Sequence, residues 1–194
     1  MAFLRSSPVD PDLEIRGARV YLRHPVMQDY SAWAELRAAS RAHLTPWEPL
    51  WTRDELSRSN FRRRLRQYHR EIREDVGYAY LIFREADSRL IGGLNVSNVR
   101  RGIAQAASIG YWTGAPFAGH GLMTDAVRTI VHYGFDTLRL HRLEAACLPS
   151  NVASQRVLEK AGFKREGLAR RYLKINGEWQ DHDLFALLSD DPRG

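Results

Sequence analysis

The chain has 194 residues, 44% of them hydrophobic and 27% charged, which suits one folded domain and excludes a disordered one. Its 29 lysines and arginines exceed 23 acids by six, and only Lys160, Lys164 and Lys174 are lysines, so the surplus is carried by arginine and favours an anionic partner. A single cysteine, Cys147, excludes an intrachain disulfide and a multi-thiolate metal site, while the lack of an apolar leader core or a membrane-length apolar run predicts a soluble, cytoplasmic domain spanning residues 1–194.

Residues 1–12, with Pro8 and Pro11 among polar neighbours, read as a loose arm. Arg19 to Arg23 alternates apolar and polar residues, the pattern of a short strand with one buried face. Gln28 to Leu44 has helical spacing of Tyr30, Trp33, Ala34 and Leu36, and the loop L-T-P-W-E-P-L-W interrupts it. Thr52 followed by Glu55 is a capping-box pattern, and Leu56, Phe61, Leu65, Tyr68 and Ile72 form an apolar stripe behind it. Tyr78 to Phe83, Leu90 to Val96 and Ala106 to Thr113 then read as three strands of an antiparallel meander. A glycine-rich loop from Gly114 to Gly121 leads into a helix from Met123 to Thr137. A strand from Arg142 to Leu148, a helix from Ser150 to Ala161 and a strand from Phe163 to Ile175 follow. Asn176-Gly177 is a type I′ turn signal, with a returning strand from Trp179 to Leu188. A meander followed by single β-α-β steps implies a mixed sheet with helices on its faces.

The stretch S-I-G-Y-W-T-G-A-P-F-A-G-H-G-L-M-T-D-A-V joins a strand to a helix through glycines 114, 119 and 121. Glycine admits positive φ and lets backbone N–H groups approach a ligand. The helix behind the loop adds unpaired N–H groups and the positive end of its dipole, which together suit a phosphate or diphosphate. A bare tight turn explains the same glycines. No P-loop lysine follows them, and Thr124 stands where a dinucleotide fingerprint needs its third glycine. Thirty residues on, N-V-A-S-Q-R-V-L-E-K-A-G-F reads as a helix capped by Asn151 or Ser150 and ended by Gly162, which sets Asn151 and Ser154 near a cleft edge.

These two segments, in this order, resemble motifs A and B of the GNAT superfamily of acetyl-CoA-dependent N-acetyltransferases. H-L-T-P-W-E-P, S-N-V-R-R-G, I-G-Y-W and E-G-L-A-R-R-Y-L-K-I-N-G-E-W-Q-D-H resemble its RimJ/RimL group, the ribosomal-protein alanine N-acetyltransferases. The resemblance spans about residues 14 to 188. It implies an α/β (α+β) fold: a mixed, mostly antiparallel sheet of six to seven strands, splayed in the middle, with helices on both faces. It also implies acetyl-CoA lying in the splay. The backbone of Trp112 and Thr113 would bond the pantetheine, and the N–H groups of Gly119, His120, Gly121, Leu122, Met123 and Thr124 would hold the diphosphate. Asn151 and Ser154 would lie near the thioester. Motif A usually carries Gln or Arg where this chain has Pro116, which removes one side-chain contact but not the backbone cradle.

Acetyl transfer to an amine needs a neutral nucleophile, a stabilised oxyanion and a proton for the leaving thiolate. The tyrosine that supplies that proton in many family members is replaced here by Leu158, so Ser154 is the candidate acid. Glu48 and Glu144 are the candidate bases. An α-amine with a pKa near 7.7 to 8.0 is roughly one-third neutral near pH 7.5, whereas a lysine near 10.4 is not, so the lack of a strong base favours an α-amine acceptor. The expected acceptor is the N-terminal amine of a ribosomal protein, with a small amine (antibiotic, polyamine or amino acid) as the alternative. An acetyl-CoA sensor and an RNA-binding module are the non-enzyme readings. Arg62, Arg63, Arg66, Arg70 and Arg73 ring one helix and read as a solvated face or as a contact with ribosomal RNA or an acidic surface. Cys147 reads as a core residue, D-H-D at 181–183 as no metal site because alternate strand residues diverge, and the assembly as a monomer or homodimer.

Overall fold

The computed structural model describes residues 13–193, so the loose arm expected over residues 1–12 lies outside it. In chain order the elements are β1 (Ile15–Arg16), β2 (Val20–Arg23), α1 (Tyr30–Ala39), α2 (Arg41–Leu44), α3 (Arg58–Arg73), β3 (Tyr78–Arg84), β4 (Leu90–Arg100), β5 (Ala106–Thr113), α4 (Leu122–His132), β6 (Arg142–Cys147), α5 (Val152–Lys160), β7 (Lys164–Ile175) and β8 (Glu178–Leu188). They form one eight-stranded sheet in the order β1-β2-β3-β4-β5-β6-β8-β7, in which only β5 and β6 run parallel. The expected mixed, mostly antiparallel sheet is present. Its eighth strand is the two-residue β1, too short to leave an alternation in the sequence.

Strand alternation sorts the core onto two faces. Tyr78, Tyr80 and Ile82 of β3 join a cluster with Val127 and Ile130 of α4 and Leu158 of α5. Leu81 and Phe83, pointing the other way, meet Trp33 of α1 and Phe61 and Leu65 of α3. The chain past α4 ends in a π turn over Tyr133–Thr137, at whose Gly134 a Cβ would come within 3.2 Å of Leu143. The regular helix expected to Thr137 therefore stops five residues early.

Two helix expectations are corrected by capping. The helix expected over Gln28–Leu44 breaks at Ser40, which is fully buried and accepts a hydrogen bond from the Ala115 N–H at 2.9 Å. The Thr52–Glu55 pattern does not start α3, because the Thr52 hydroxyl bonds Asp54 at 2.8 Å and Ser57 accepts from the Asn60 N–H instead. The Asn176-Gly177 turn forms as read, with φ of 45° and 88°, between β7 and β8.

His24, 4% exposed, stacks on Tyr80 and donates from Nδ1 to the Ala79 carbonyl at 2.7 Å, leaving Nε2 without a partner among the described residues. Burial pushes its pKa below the usual 6.5 despite the hydrogen bond to Ala79. The unfolded chain then binds a proton near pH 6.5 that the folded one refuses. Stability is therefore complete above that pH and declines as pH falls through it. Melting followed from about pH 8 to 5 is expected to show this decline, weakened in His24→Phe. An equal pH dependence in both proteins would remove the assignment.

Candidate active site

The parallel pairing of β5 with β6 covers only Ala106, Ala107 and Ser108 against Arg142, Leu143 and Glu144. Beyond this rung the two strands part, so the β6-facing backbone edge of Ile109–Thr113 has no strand neighbour and opens onto a cleft. On its other edge Trp112 and Thr113 still pair with Gly93 and Gly92 of β4. The cleft has a volume of about 600 Å³ and is lined by Trp112, Thr113, Gly119, Gly121, Leu122, Met123, Thr124, Asn151 and Ser154 among others. It brings together nine of the residues singled out for cofactor binding.

The glycine-rich loop sets the cleft's anionic end. Gly119 and Gly121 take φ of 79° and 74°, and Gly121 caps α4 from this left-handed conformation. The first helical hydrogen bond is that of the Asp125 N–H to the Gly121 carbonyl at 3.2 Å, which leaves the N–H groups of Leu122, Met123 and Thr124 without helical partners. The side chains of Leu122 and Met123 are buried, so these residues offer the cleft backbone alone. His120 is exposed, and its carbonyl accepts from Arg19 Nη1 at 3.2 Å. Asp125 receives the N–H of Arg19 at 2.7 Å and so ties the β1–β2 turn to the base of the loop. An N–H cradle, a helix dipole and an empty space beside Gly119 fit the diphosphate of a nucleotide cofactor.

Asn151 caps α5 by accepting the Ser154 N–H at 3.1 Å, which decides between the two capping candidates. The Ser154 hydroxyl lies 3.0 Å from the hydroxyl of Tyr111, which reaches across the gap between the strands. Burial drives the Tyr111 phenol well above its usual range. The nearby Cys147 thiol is buried and pushed up to about 11, mainly by that burial and against a hydrogen bond with Ser154. A thiol so held stays protonated at neutral pH and is a core group, as read from the sequence.

A second cavity of about 380 Å³ lies on the opposite side of β5. Glu48, Tyr111 and Trp112 line both spaces, so the two share a wall there. Arg37, 6% exposed, clamps Glu48 through Nη1 at 3.1 Å and Nη2 at 2.6 Å, and Trp51 Nε1 donates to the same carboxylate at 2.8 Å. The guanidinium sits over the rings of Trp51 and Trp112, 4.5 and 4.9 Å from their centroids. The Asn176 N–H at the β7–β8 turn donates to the Glu48 carbonyl at 2.9 Å and closes the same wall. Glu55, held by Arg64, adds a second carboxylate to the cavity.

Glu144 is not brought to either space. It sits on the last rung that β6 shares with β5, where Arg100 at 2.7 Å and Arg142 at 2.9 Å bond it. Burial alone would raise its carboxyl, but the hydrogen bonds from these two arginines win and hold it below the ordinary value. A carboxylate so occupied and so placed is a structural anchor for the strand junction, and the candidate base there is withdrawn. In D-H-D, Asp183 is bonded by Arg165 and Gln155, and Asp181 accepts the Arg171 N–H at 2.8 Å.

Tyr111, Arg37 and Glu55 escaped the sequence reading. Tyr111 stands in the quoted I-G-Y-W, but its partner is 43 residues away. Arg37 follows Trp33 at helical spacing on an otherwise apolar side, a charge that calls for a distant acid.

A family model described as an acetyltransferase (GNAT) domain matches residues 19–164. A probable N-acetyltransferase, YjcK, of Bacillus subtilis is 38% identical over 91% of this chain and 98% of its own length. The [ribosomal protein uS5]-alanine N-acetyltransferase of Escherichia coli is 33% identical over 93% of each chain. Among solved structures, Mycobacterium smegmatis RimJ in complex with CoA-disulfide superposes with a TM-score of 0.85 at 34% identity, covering 92% of this chain and 88% of that one.

Proposed function

The chain belongs to the GNAT acetyltransferase family, and on that premise we propose that its acceptor is the α-amine of a protein N-terminus, with alanine first, on a ribosomal protein. Its activity is acetyl-CoA-dependent N-acetylation. The observation that carries the acceptor reading is that two cavities share the wall formed by Glu48, Tyr111 and Trp112. One space suits a long, anionic cofactor, and the other is short, aromatic and bordered by two carboxylates. A chain terminus bearing an ammonium fits the second, and its small first side chain would sit beside Gly93 and Gly110.

Each polar group then has a task. The N–H groups of Leu122, Met123 and Thr124 hold the cofactor diphosphate, and acetyl-CoA supplies the acyl group. The free edge of β5 at Trp112 and Thr113 holds the pantetheine arm. Glu48 attracts the terminal ammonium, which loses one proton to solvent to become the neutral nucleophile, and the Arg37 clamp keeps the carboxylate in place rather than leaving it free as a strong base. A strong base is not needed, since about a third of α-amines are neutral near pH 7.5. Ser154 gives its hydroxyl proton to the departing sulfur. Tyr111 refills Ser154 and is itself refilled by the proton that the attacking nitrogen sheds, because burial makes a lasting phenolate costly. From the neutral amine onward, one proton leaves nitrogen and one arrives on sulfur, so the sequence balances.

A panel of alanine-terminal peptides, the same peptides N-terminally blocked but bearing lysine, polyamines and aminoglycosides, read by CoA release, tests the acceptor. The alanine-terminal peptide is expected to exceed the blocked lysine peptide in kcat/KM by about 100-fold, in line with the neutral amine fractions. Faster turnover of a polyamine or aminoglycoside would establish the small-amine reading instead.

A further inference from the structure

The helix α3 carries seven arginines and one glutamate over Arg58–Arg73, a surplus of six that equals the formal charge of the whole chain. Elsewhere nine of the 18 described arginines are ion-paired, among them Arg23 with Asp29, Arg101 with Asp75, Arg142 with Glu144 and Glu166, and Arg193 with Asp136. On α3, Arg64 is taken by Glu55 and turns to the acceptor cavity, and Arg63 is 3.5 Å from Asp54. Arg62, Arg66, Arg70 and Arg73 are exposed, and none has an ion pair or side-chain hydrogen bond among the described residues. Their steps of four, four and three residues place them on one stripe about 16 Å long.

We infer that this stripe is an RNA-docking surface that holds a ribonucleoprotein substrate beside the acceptor cavity. The inference rests on the acceptor reading only for the word substrate. Protein interfaces need an apolar centre, and none of the exposed large apolar side chains lies on α3. Phosphate backbones need only guanidinium groups, which bind them bidentately and better than lysine does. The opposite side of the same helix lines the acceptor cavity through Phe61, Arg64 and Tyr68. A phosphate backbone lying along the stripe would thus hold a protein N-terminus within reach of Glu48.

The test compares the wild type with R62Q/R66Q/R70Q/R73Q, glutamine preserving helix propensity at exposed positions. A short A-form RNA duplex is titrated at several salt concentrations, with polyglutamate as a second ligand. The expected result is at least a tenfold weaker RNA affinity for the variant near 100 mM salt, and a salt slope smaller by about 3. Turnover of the free alanine-terminal peptide should stay within twofold, whereas turnover on assembled ribosomal subunits should fall. Equal RNA affinity and slope in the two proteins would overturn the inference, as would tighter binding of polyglutamate than of RNA. If neither protein acetylates the peptide, the acceptor reading fails on its own, and the RNA titration still decides the docking surface.

Discussion

Gly119→Val is expected to weaken acetyl-CoA binding by about 100-fold or more while lowering the thermal melting point by only several degrees. No heavy atom lies within 4 Å of a Cβ built at this position, so the folded chain has room for a side chain. The conflict is with the backbone, held at φ of 79°. A β-branched residue resists that conformation by about 1–3 kcal/mol. It can relax only by rotating the peptide planes that aim N–H groups into the cleft. A loss of about 2.8 kcal/mol in binding corresponds to the stated hundredfold. Gly119→Ala, which meets less strain, should fall between the two proteins. At Gly121 the expected loss is accompanied by crowding, since a Cβ there comes within 3.0 Å of Arg19 Nη2 and that side chain must give way slightly. Calorimetric titration with CoA measures all three, and affinity within threefold of wild type in Gly119→Val would remove the cradle from the account.

That the loop could be read from sequence while the acceptor side could not follows from the range of the interactions. Gly119, Gly121 and the N-terminus of α4 are contiguous, so the backbone cradle is a local property. The same holds for the Asn151 cap and for the turn at Asn176-Gly177. Even local signals compete, however. Thr52 and Ser57 both offer a capping oxygen, and Ser57 prevailed because the Asn60 side chain also bonds the carbonyls of Asp54 and Glu55 and winds the preceding turn into place. Ser40 could not be read as a helix break, because its reason, the Ala115 N–H, lies 75 residues away. Glu144 and Glu48 looked alike in sequence as lone carboxylates. What separates them is which arginines the fold brings near and whether a cavity opens beside them. Glu48 lines two cavities, whereas Glu144 stands on the last rung that joins β6 to β5.

The largest effects on chemistry are expected from Ser154→Ala and Tyr111→Phe, each lowering kcat by about 100-fold, the contribution of one well-placed proton donor. Acetyl-CoA affinity should change little in either, because the Asn151 cap uses the Ser154 backbone N–H and Phe keeps the ring that lines the cleft. The two hydroxyls, on β5 and α5, lie 3.0 Å apart, and the proposed proton path runs through both in series. Removing either breaks the same proton path. The double variant should accordingly be hardly slower than the slower single variant, whereas independent contributions would multiply to about 10,000-fold. A purely structural role for Tyr111 would instead lower stability and cofactor affinity together, with kcat following only as the fold loosens. Single-turnover acetylation rates, measured beside CoA affinity and melting in all four proteins, separate these cases. Full multiplicativity would divide the pair into unrelated groups. Wild-type turnover by Tyr111→Phe would leave Ser154 to draw its proton directly from solvent through the open cleft.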